Sequence, residues 1–407
     1  MLSEFIWQGP DLTTAFDVWQ ASPLTDADIT RFAEAVRVGN LSGLRVLQLV
    51  GDSKSEDKWF SSEGMEALMG SVVESEEGLP FLEKLRLSCT RAGEGGASLG
   101  RALMSGKLPK LSDINLSNSR LTDEALRGLG HAVREGGLVG VASLDLSRNE
   151  DIEKESWEGF MREIVQSERG MPKLKLLYLF ETSANCVGGP LSVALASGKL
   201  PSLETLGIRS FGLDETGVGD LGEAVRAGGW PPGFAKNSKI EFTLEHTDVN
   251  LDELIKAIGE SEIGLPSFVL SLNLSGGRLS EEALASLARN GGGASGGKLS
   301  HLKHLDLSSC GLDDARLGRL GDVFSAHECR ELESIDLSCN RISTKGLSAF
   351  SEALSPQSLP KLRRLSLRSQ KTVEGEELRV REQIQFSSAV DSLQAAAHKN
   401  GKLLKWR

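Results

Sequence analysis

Residues 111–137 read LSDINLSNSRLTDEALRGLGHAVREGG, and the two halves of this stretch carry different periods. In LSDINL (111–116) the leucine-type positions follow L-x-x-L-x-L, so Ile114 and Leu116 alternate with a polar residue as a half-buried strand requires. In LTDEALRGLGHAVREGG (121–137) the apolar residues Leu126, Leu129 and Val133 recur at helical spacing on one face. Thr122 is a natural cap for that helix, Asp123 and Glu124 place negative charge where the helix dipole favours it, and Gly136 and Gly137 stop it. Strand followed by helix in under thirty residues is one structural unit.

The unit recurs in both directions. LxxLxL or a close variant stands at 44–49, 82–87, 111–116, 141–146, 174–179, 203–208, 239–244, 269–274, 302–307, 332–337 and 362–367. These copies begin 29 to 38 residues apart, which leaves room for a helix in every unit. The block LTDADITRFAEAVRVGN (24–40) precedes the first copy, so a degenerate unit with a strand near Phe16 and Val18 is expected to open the stack. The expected layout is a cap with that degenerate repeat over 1–40, a repeat array over 41–370, and a covering helix with a basic tail over 371–407. An open solenoid needs such caps, because its terminal leucines would otherwise face water. Insertions at 52–59, 228–239 and 291–297 break the rhythm with charge, proline and glycine.

Composition agrees with a leucine-built core: aromatic residues are 5% of the 407 and glycine contributes 45. A formal net charge of −11 repels phosphate backbones, so nucleic acid is not an expected partner. The basic excess collects between Pro360 and Arg407. Five cysteines without CxxC spacing fit neither a disulfide framework nor a zinc site, and a cytoplasmic location is expected. The opening residues lack the apolar run of a secretory signal, and no stretch is apolar for long enough to span a membrane.

With these units written out, the chain resembles the ribonuclease-inhibitor-like leucine-rich repeats, whose pattern is LxxLxLSxxxLTDEALxxLxxAL. The resemblance covers roughly residues 15 to 370. It implies an α/β horseshoe, a right-handed solenoid of 11–12 repeats with parallel strands on the concave face and helices on the convex one. The family places Asn or Cys three residues after the last leucine of LxL, where it caps a turn. Here Asn149, Cys310 and Asn340 match, whereas Thr90, Ser119, Thr182, Phe211 and Gly277 depart, which implies an irregular arc. The resemblance implies a non-catalytic protein-binding module or scaffold. The alternatives are a GTPase-activating protein of the Ran type and the sensing region of an intracellular immune receptor.

Two motifs imitate nucleotide chemistry. Gly217, Gly219 and Gly222 spell GxGxxG, yet Leu213–Gly229 aligns without a gap on Leu121–Gly137, which places those glycines inside a helix. GGASGGKL (292–299) falls short of a P-loop, since Leu299 stands where a Mg²⁺-binding hydroxyl is required. None of the six histidines has the spacing of a zinc protease. No catalytic residue, cofactor or metal is expected.

Binding is expected on the residues between and after the LxL leucines. Serine dominates the second set, and a small hydroxyl there can satisfy itself against neighbouring backbone. The middle departs: Leu176, Tyr178 and Phe180 are alternate residues of one strand, with Arg209 and Glu245 on the next strands. Clustered aromatics and arginine dominate protein–protein binding energy. Asp145, Asp306 and Asp336 add acidity suited to a partner bearing Lys or Arg. The competing reading packs Tyr178 and Phe180 beneath the 228–239 insertion, and both stay open. The expected partner is a protein, with no membrane contact, bound by a monomer.

Overall fold

The computed structural model describes residues 15–19, 23–51, 59–208, 210–231, 240–244, 248–289, 298–325, 329–353 and 359–371. The chain divides into two compact units, one of residues 1–208 with 230–238 and one of residues 209–229 with 239–407.

In the first unit, strands β1 (Ala15–Trp19), β2 (Val46–Val50), β3 (Lys84–Arg86), β4 (Asp113–Asn115), β5 (Ser143–Asp145), β6 (Leu176–Tyr178) and β7 (Thr205–Gly207) form one sheet in chain order, every pair parallel. Helices α1 (Asp26–Arg37), α2 (Ser62–Glu74), α3 (Gly96–Met104), α4 (Asp123–Arg134), α5 (Lys154–Gln166) and α6 (Gly188–Ala196) alternate with them. The second unit holds β8 (Ser210–Leu213), β9 (Ile240–Leu244), β10 (Val269–Asn273), β11 (His304–Asp306), β12 (Ser334–Asp336) and β13 (Arg364–Ser366), again parallel and in chain order. Its helices are α7 (Glu215–Ala227), α8 (Asp252–Glu260), α9 (Glu281–Arg289), α10 (Asp314–Ser325) and α11 (Thr344–Ala353). This is the expected α/β solenoid, with a strand at Phe16 and Val18 as the opening block implied.

One expectation fails. The regular LxxLxL spacing implied a single row of strands, with LETLGI (203–208) beside KIEFTL (239–244). Instead β7 closes the first sheet and β8, an additional strand within the same repeat, opens the second by pairing Phe211 with Phe242 and Leu213 with Leu244. β9 is five residues long and finds four partners in β8, whereas β7 is a strand of three, so the longer ladder satisfies more backbone groups.

Within each unit the middle residue of the three-residue strands is buried and its neighbours are mostly half-buried, with Lys84 and Arg364 exposed and Gly207 buried. Leu85, Ile114, Leu144 and Leu177 face the helices, and the alternate residues line the open side of the sheet. α4 forms as read: Thr122 accepts from the Ala125 N–H, and Leu126, Leu129 and Val133 are fully buried.

Three sets of polar side chains join one repeat to the next. At the turns, Asn149 Nδ2 donates to the carbonyls of Leu116 and Leu146 at 2.9 and 2.8 Å, while its Oδ1 accepts from Ser119 and Leu121 N–H. Asn340 repeats this with Leu307, Leu337 and Leu312. Cys310 Sγ donates to Leu274 O at 3.1 Å, and burial first, then Asp306, pushes its thiol up to about 12, so it fills a turn and stays protonated. Where Thr90 and Thr182 replace Asn, each donates to a carbonyl of its own repeat (Leu87, Leu179) and a 3₁₀ turn follows (Ala92–Gly95, Ser183–Cys186). Gln370 takes the Asn role with one more methylene, reaching Leu337 O, Leu367 O and Ile342 N–H.

At the helix N-termini, Asp26 accepts from Ser61 N–H, Ser61 Oγ and Gly64 N–H of the following helix, α2. Asp123, Asp252 and Asp314 likewise accept from the N–H of Glu153, Ser280 and Ser343. A Cβ on Gly64 would come within 2.7 Å of Asp26 Oδ1, so the approach requires glycine there. Removing three charge-assisted, half-buried bonds by Asp26→Ala is expected to cost about 2 kcal/mol. A shifted urea midpoint would measure it, and an unchanged midpoint would refute the staple.

At the helix C-termini, every third repeat sends back a lysine. Lys107 Nζ donates to Glu76 O, Lys199 Nζ to Glu168 O at 3.0 Å, and Lys298 Nζ to Ser261 O. Each carbonyl lies just past a helix end, where a cation also opposes the negative pole of the dipole.

Candidate functional site

The strand register places the candidate residues. On the open side of the first sheet, Arg86, Asn115, Asp145, Tyr178 and Gly207 are successive Cα partners, a single row across five strands. A parallel row holds Lys84, Asp113, Ser143, Leu176 and Thr205. The two rows change in character along the sheet. Arg86 Nη2 and Asp113 Oδ2 form an ion pair at 2.6 Å. Asp145 follows, its Oδ1 accepting from Ser147 N–H at 3.0 Å, and then come the aromatic rings.

Tyr178 and Phe180 stack on one another with ring centroids 6.1 Å apart and planes inclined at 23°. Phe180 is 40% exposed, among the few large apolar side chains so open to solvent in the described residues. The rings lean over β7: a Cβ on Gly207 would meet Tyr178 Cδ1 at 2.4 Å and Phe180 Cε2 at 2.7 Å. Gly207 is therefore part of the arrangement, since any other residue would push both rings aside. The sequence displayed Gly207 in the same row without disclosing this, because the lean of a ring across a neighbouring strand follows from register rather than from composition. Arg209 and Glu245, expected beside the aromatic pair, lie outside the described residues, as do 232–239 of the insertion that offered the competing reading.

Asp306 and Asp336 are Cα partners on the open side of the second sheet, between Asn273 and Ser366. They line a groove of about 430 Å³ with Glu241, Ser271, His304, Ser334 and Arg364. His304 Nδ1 and Ser334 Oγ are 2.9 Å apart across it. The structure thus puts Asp145 with Tyr178 and Phe180 in the first unit and Asp306 with Asp336 in the second. A larger cavity of about 940 Å³ lies along the turns of the first unit, where Glu94, Asp123, Glu150, Asp151 and Glu181 mix with Arg120 and Arg148.

Three of the serines after the LxL leucines bond within the sheet. Ser117 Oγ donates to Asn115 Oδ1, Ser147 Oγ accepts from Phe180 N–H, and Ser338 Oγ meets Ser366 Oγ at 2.7 Å. Gly217, Gly219 and Gly222 lie inside α7, whose N-cap Asp214 accepts from Gly217 N–H, so that glycine pattern is helical and cradles no phosphate. The P-loop-like stretch up to Gly297 lies outside the described residues. Among the described residues no group of three or more His, Cys, Asp or Glu is placed to hold a metal, and no helix is long and apolar enough to cross a membrane.

A family profile described as "Leucine Rich repeat" matches residues 298–315 and 328–351, the stretch that carries β11, α11 and β12. These are leucine-rich repeats. The same strand, turn and helix recur through both units, so the leucine-rich-repeat architecture extends beyond the matched residues. A search of curated proteins returned no match. Solved structures similar to this chain include LegL7, a leucine-rich repeat-containing protein from Legionella pneumophila, at 16% identity over 80% of this chain and 94% of that one, with a TM-score of 0.29. An internalin, inlF, from Listeria monocytogenes is 13% identical over 85% of this chain and 79% of its own, with a TM-score of 0.36. A chain of the yeast Rad7 and Elc1 complex is 14% identical over 85% of this chain and 84% of its own, with a TM-score of 0.28.

Proposed function

We propose that this chain is a non-catalytic protein-binding array of the ribonuclease-inhibitor-like kind that acts in the cytoplasm as a monomer. Its partner is a protein, held on the open side of the sheets, and binding requires no cofactor. Residues 1–40 and 371–407 serve as end caps for the array over 41–370.

The observation that carries this reading is the aromatic pair. An isolated exposed phenylalanine is ordinary, but Leu176, Tyr178 and Phe180 are alternate residues of one segment, two of them stacked aromatics, on a face whose rows are otherwise mostly polar. Burying such a group against another protein removes apolar area from water, and aromatic anchors of this kind contribute most of an interface's energy. Asp145 belongs to the same contact surface, and Asp306 and Asp336 with their groove form a second. Arg209 and Glu245 complete the proposed set.

Tyr178→Ser combined with Phe180→Ser is expected to leave the far-ultraviolet circular dichroism unchanged, because neither ring is in the core. The double variant should lose a partner recovered by the wild-type protein in pull-down, with affinity for that partner lowered by about 2 kcal/mol or more. Retention of every partner by a folded double variant would overturn the reading.

A further inference from the structure

Three features of the first sheet's open side coincide at one place. Tyr178 and Phe180 stack on one another, Phe180 40% exposed and Tyr178 half-buried. Asp145 is the direct Cα partner of Tyr178 on the adjacent parallel strand β5, on the same face of the sheet and on the side away from Gly207, toward which the ring leans. Of the two aspartates in these rows, Asp113 is already neutralised by Arg86 at 2.6 Å. Asp145 spends one oxygen on the Ser147 N–H. Asn115 and Asn273 make that same bond, to Ser117 and Ser275 N–H at 2.9 and 3.1 Å, so the turn needs an oxygen acceptor there and no charge.

We propose that Tyr178, Phe180 and Asp145 together receive an arginine side chain of the protein partner. This deepens the binding reading above and rests on it. A cation over an aromatic face is attracted by the negative ring quadrupole, and a carboxylate on the neighbouring strand adds a charge-assisted hydrogen bond. Arginine meets both demands with one group, because its planar guanidinium stacks on the ring while its N–H edge addresses the carboxylate. Lysine, a compact and strongly hydrated charge, meets them less well. The chain's net charge of −11 draws a basic segment toward the protein before contact is made.

Tyr178 is the sole tyrosine of the chain, which makes the test direct. Full-length protein in which tyrosine is replaced by 3-fluorotyrosine gives one ¹⁹F resonance, and that resonance reports on this site. It is titrated with the peptide acetyl-Gly-Gly-Arg-Gly-Gly-amide and with its lysine and citrulline counterparts. The arginine peptide is expected to move the signal saturably, with lysine weaker and citrulline, which keeps the shape and loses the charge, without effect. Asp145→Asn, which preserves the turn bond, should weaken arginine binding by about fivefold or more.

A citrulline shift equal to that of arginine, an unchanged affinity in Asp145→Asn, a lysine peptide that binds as tightly as arginine, or no saturable shift would overturn the arginine assignment. Failure of this proposal is separable from failure of the binding face. If the pull-down partner is lost with Tyr178→Ser plus Phe180→Ser while the peptide arms fail, the face stands and the arginine falls. If the partner is kept, both fall.

Discussion

Asn149→Ala is expected to lower the stability of the first unit by about 3–5 kcal/mol, since it strips partners from several buried backbone groups at once. The amide of Asn149 is 2% exposed and satisfies two carbonyls and two N–H groups on adjacent repeats, at Leu116, Leu146, Ser119 and Leu121. Alanine leaves all four without that partner, and a buried polar group left unpaired carries a desolvation cost. A repeat array does not unfold in one step, so the measurement is hydrogen exchange resolved along the chain. Protection should fall first at residues 114–121 and 144–149. Uniform protection in the variant would show that the amide is dispensable.

Trp157→Ala should have an effect of similar size for a different reason. Trp157 in α5 is fully buried, with its ring edge-on to Phe160 at 6.3 Å and 85°. Truncation removes the largest side chain of that layer and leaves a cavity, which costs about 3–5 kcal/mol for a tryptophan. Trp157 Nε1 is buried and has no hydrogen-bond partner among the described residues. Trp157→Phe therefore gives up some area but also removes an unsatisfied donor, and its net change should lie within about 1 kcal/mol. Urea denaturation of the two variants separates the contributions. A phenylalanine variant as unstable as the alanine one would mean that the indole N–H matters.

Much of this was legible in the residues alone, because burial in a solenoid is periodic. Ile114 and Leu116 point to the core for the same reason in every copy, and the capped helix at 123–134 follows from Thr122, Asp123 and the glycines after it. Asn149 and Asn340 could be singled out as turn residues because their amide carries both a donor and an acceptor. Gln370 escaped notice since it performs the same task with a longer side chain. The division at β7 and β8 was hidden for another reason. KIEFTL has the alternation of every other copy, and nothing in its own composition shows that its partner is SFGL rather than LETLGI. The row of Asp145, Tyr178 and Gly207 was readable from spacing, but the dependence of the ring positions on Gly207 is a cross-strand contact that no single segment contains.

The returning lysines set a rule for how such a molecule could be lengthened or shortened. Excision from Ser75 through Gln166 would bring α2 directly onto the SERG segment, with Lys199 still reaching the carbonyl of Glu168. Excision of one repeat or two would instead leave an ammonium group facing a helix end of the wrong kind. The interchangeable piece of the first unit is thus a cassette of three strands and three helices.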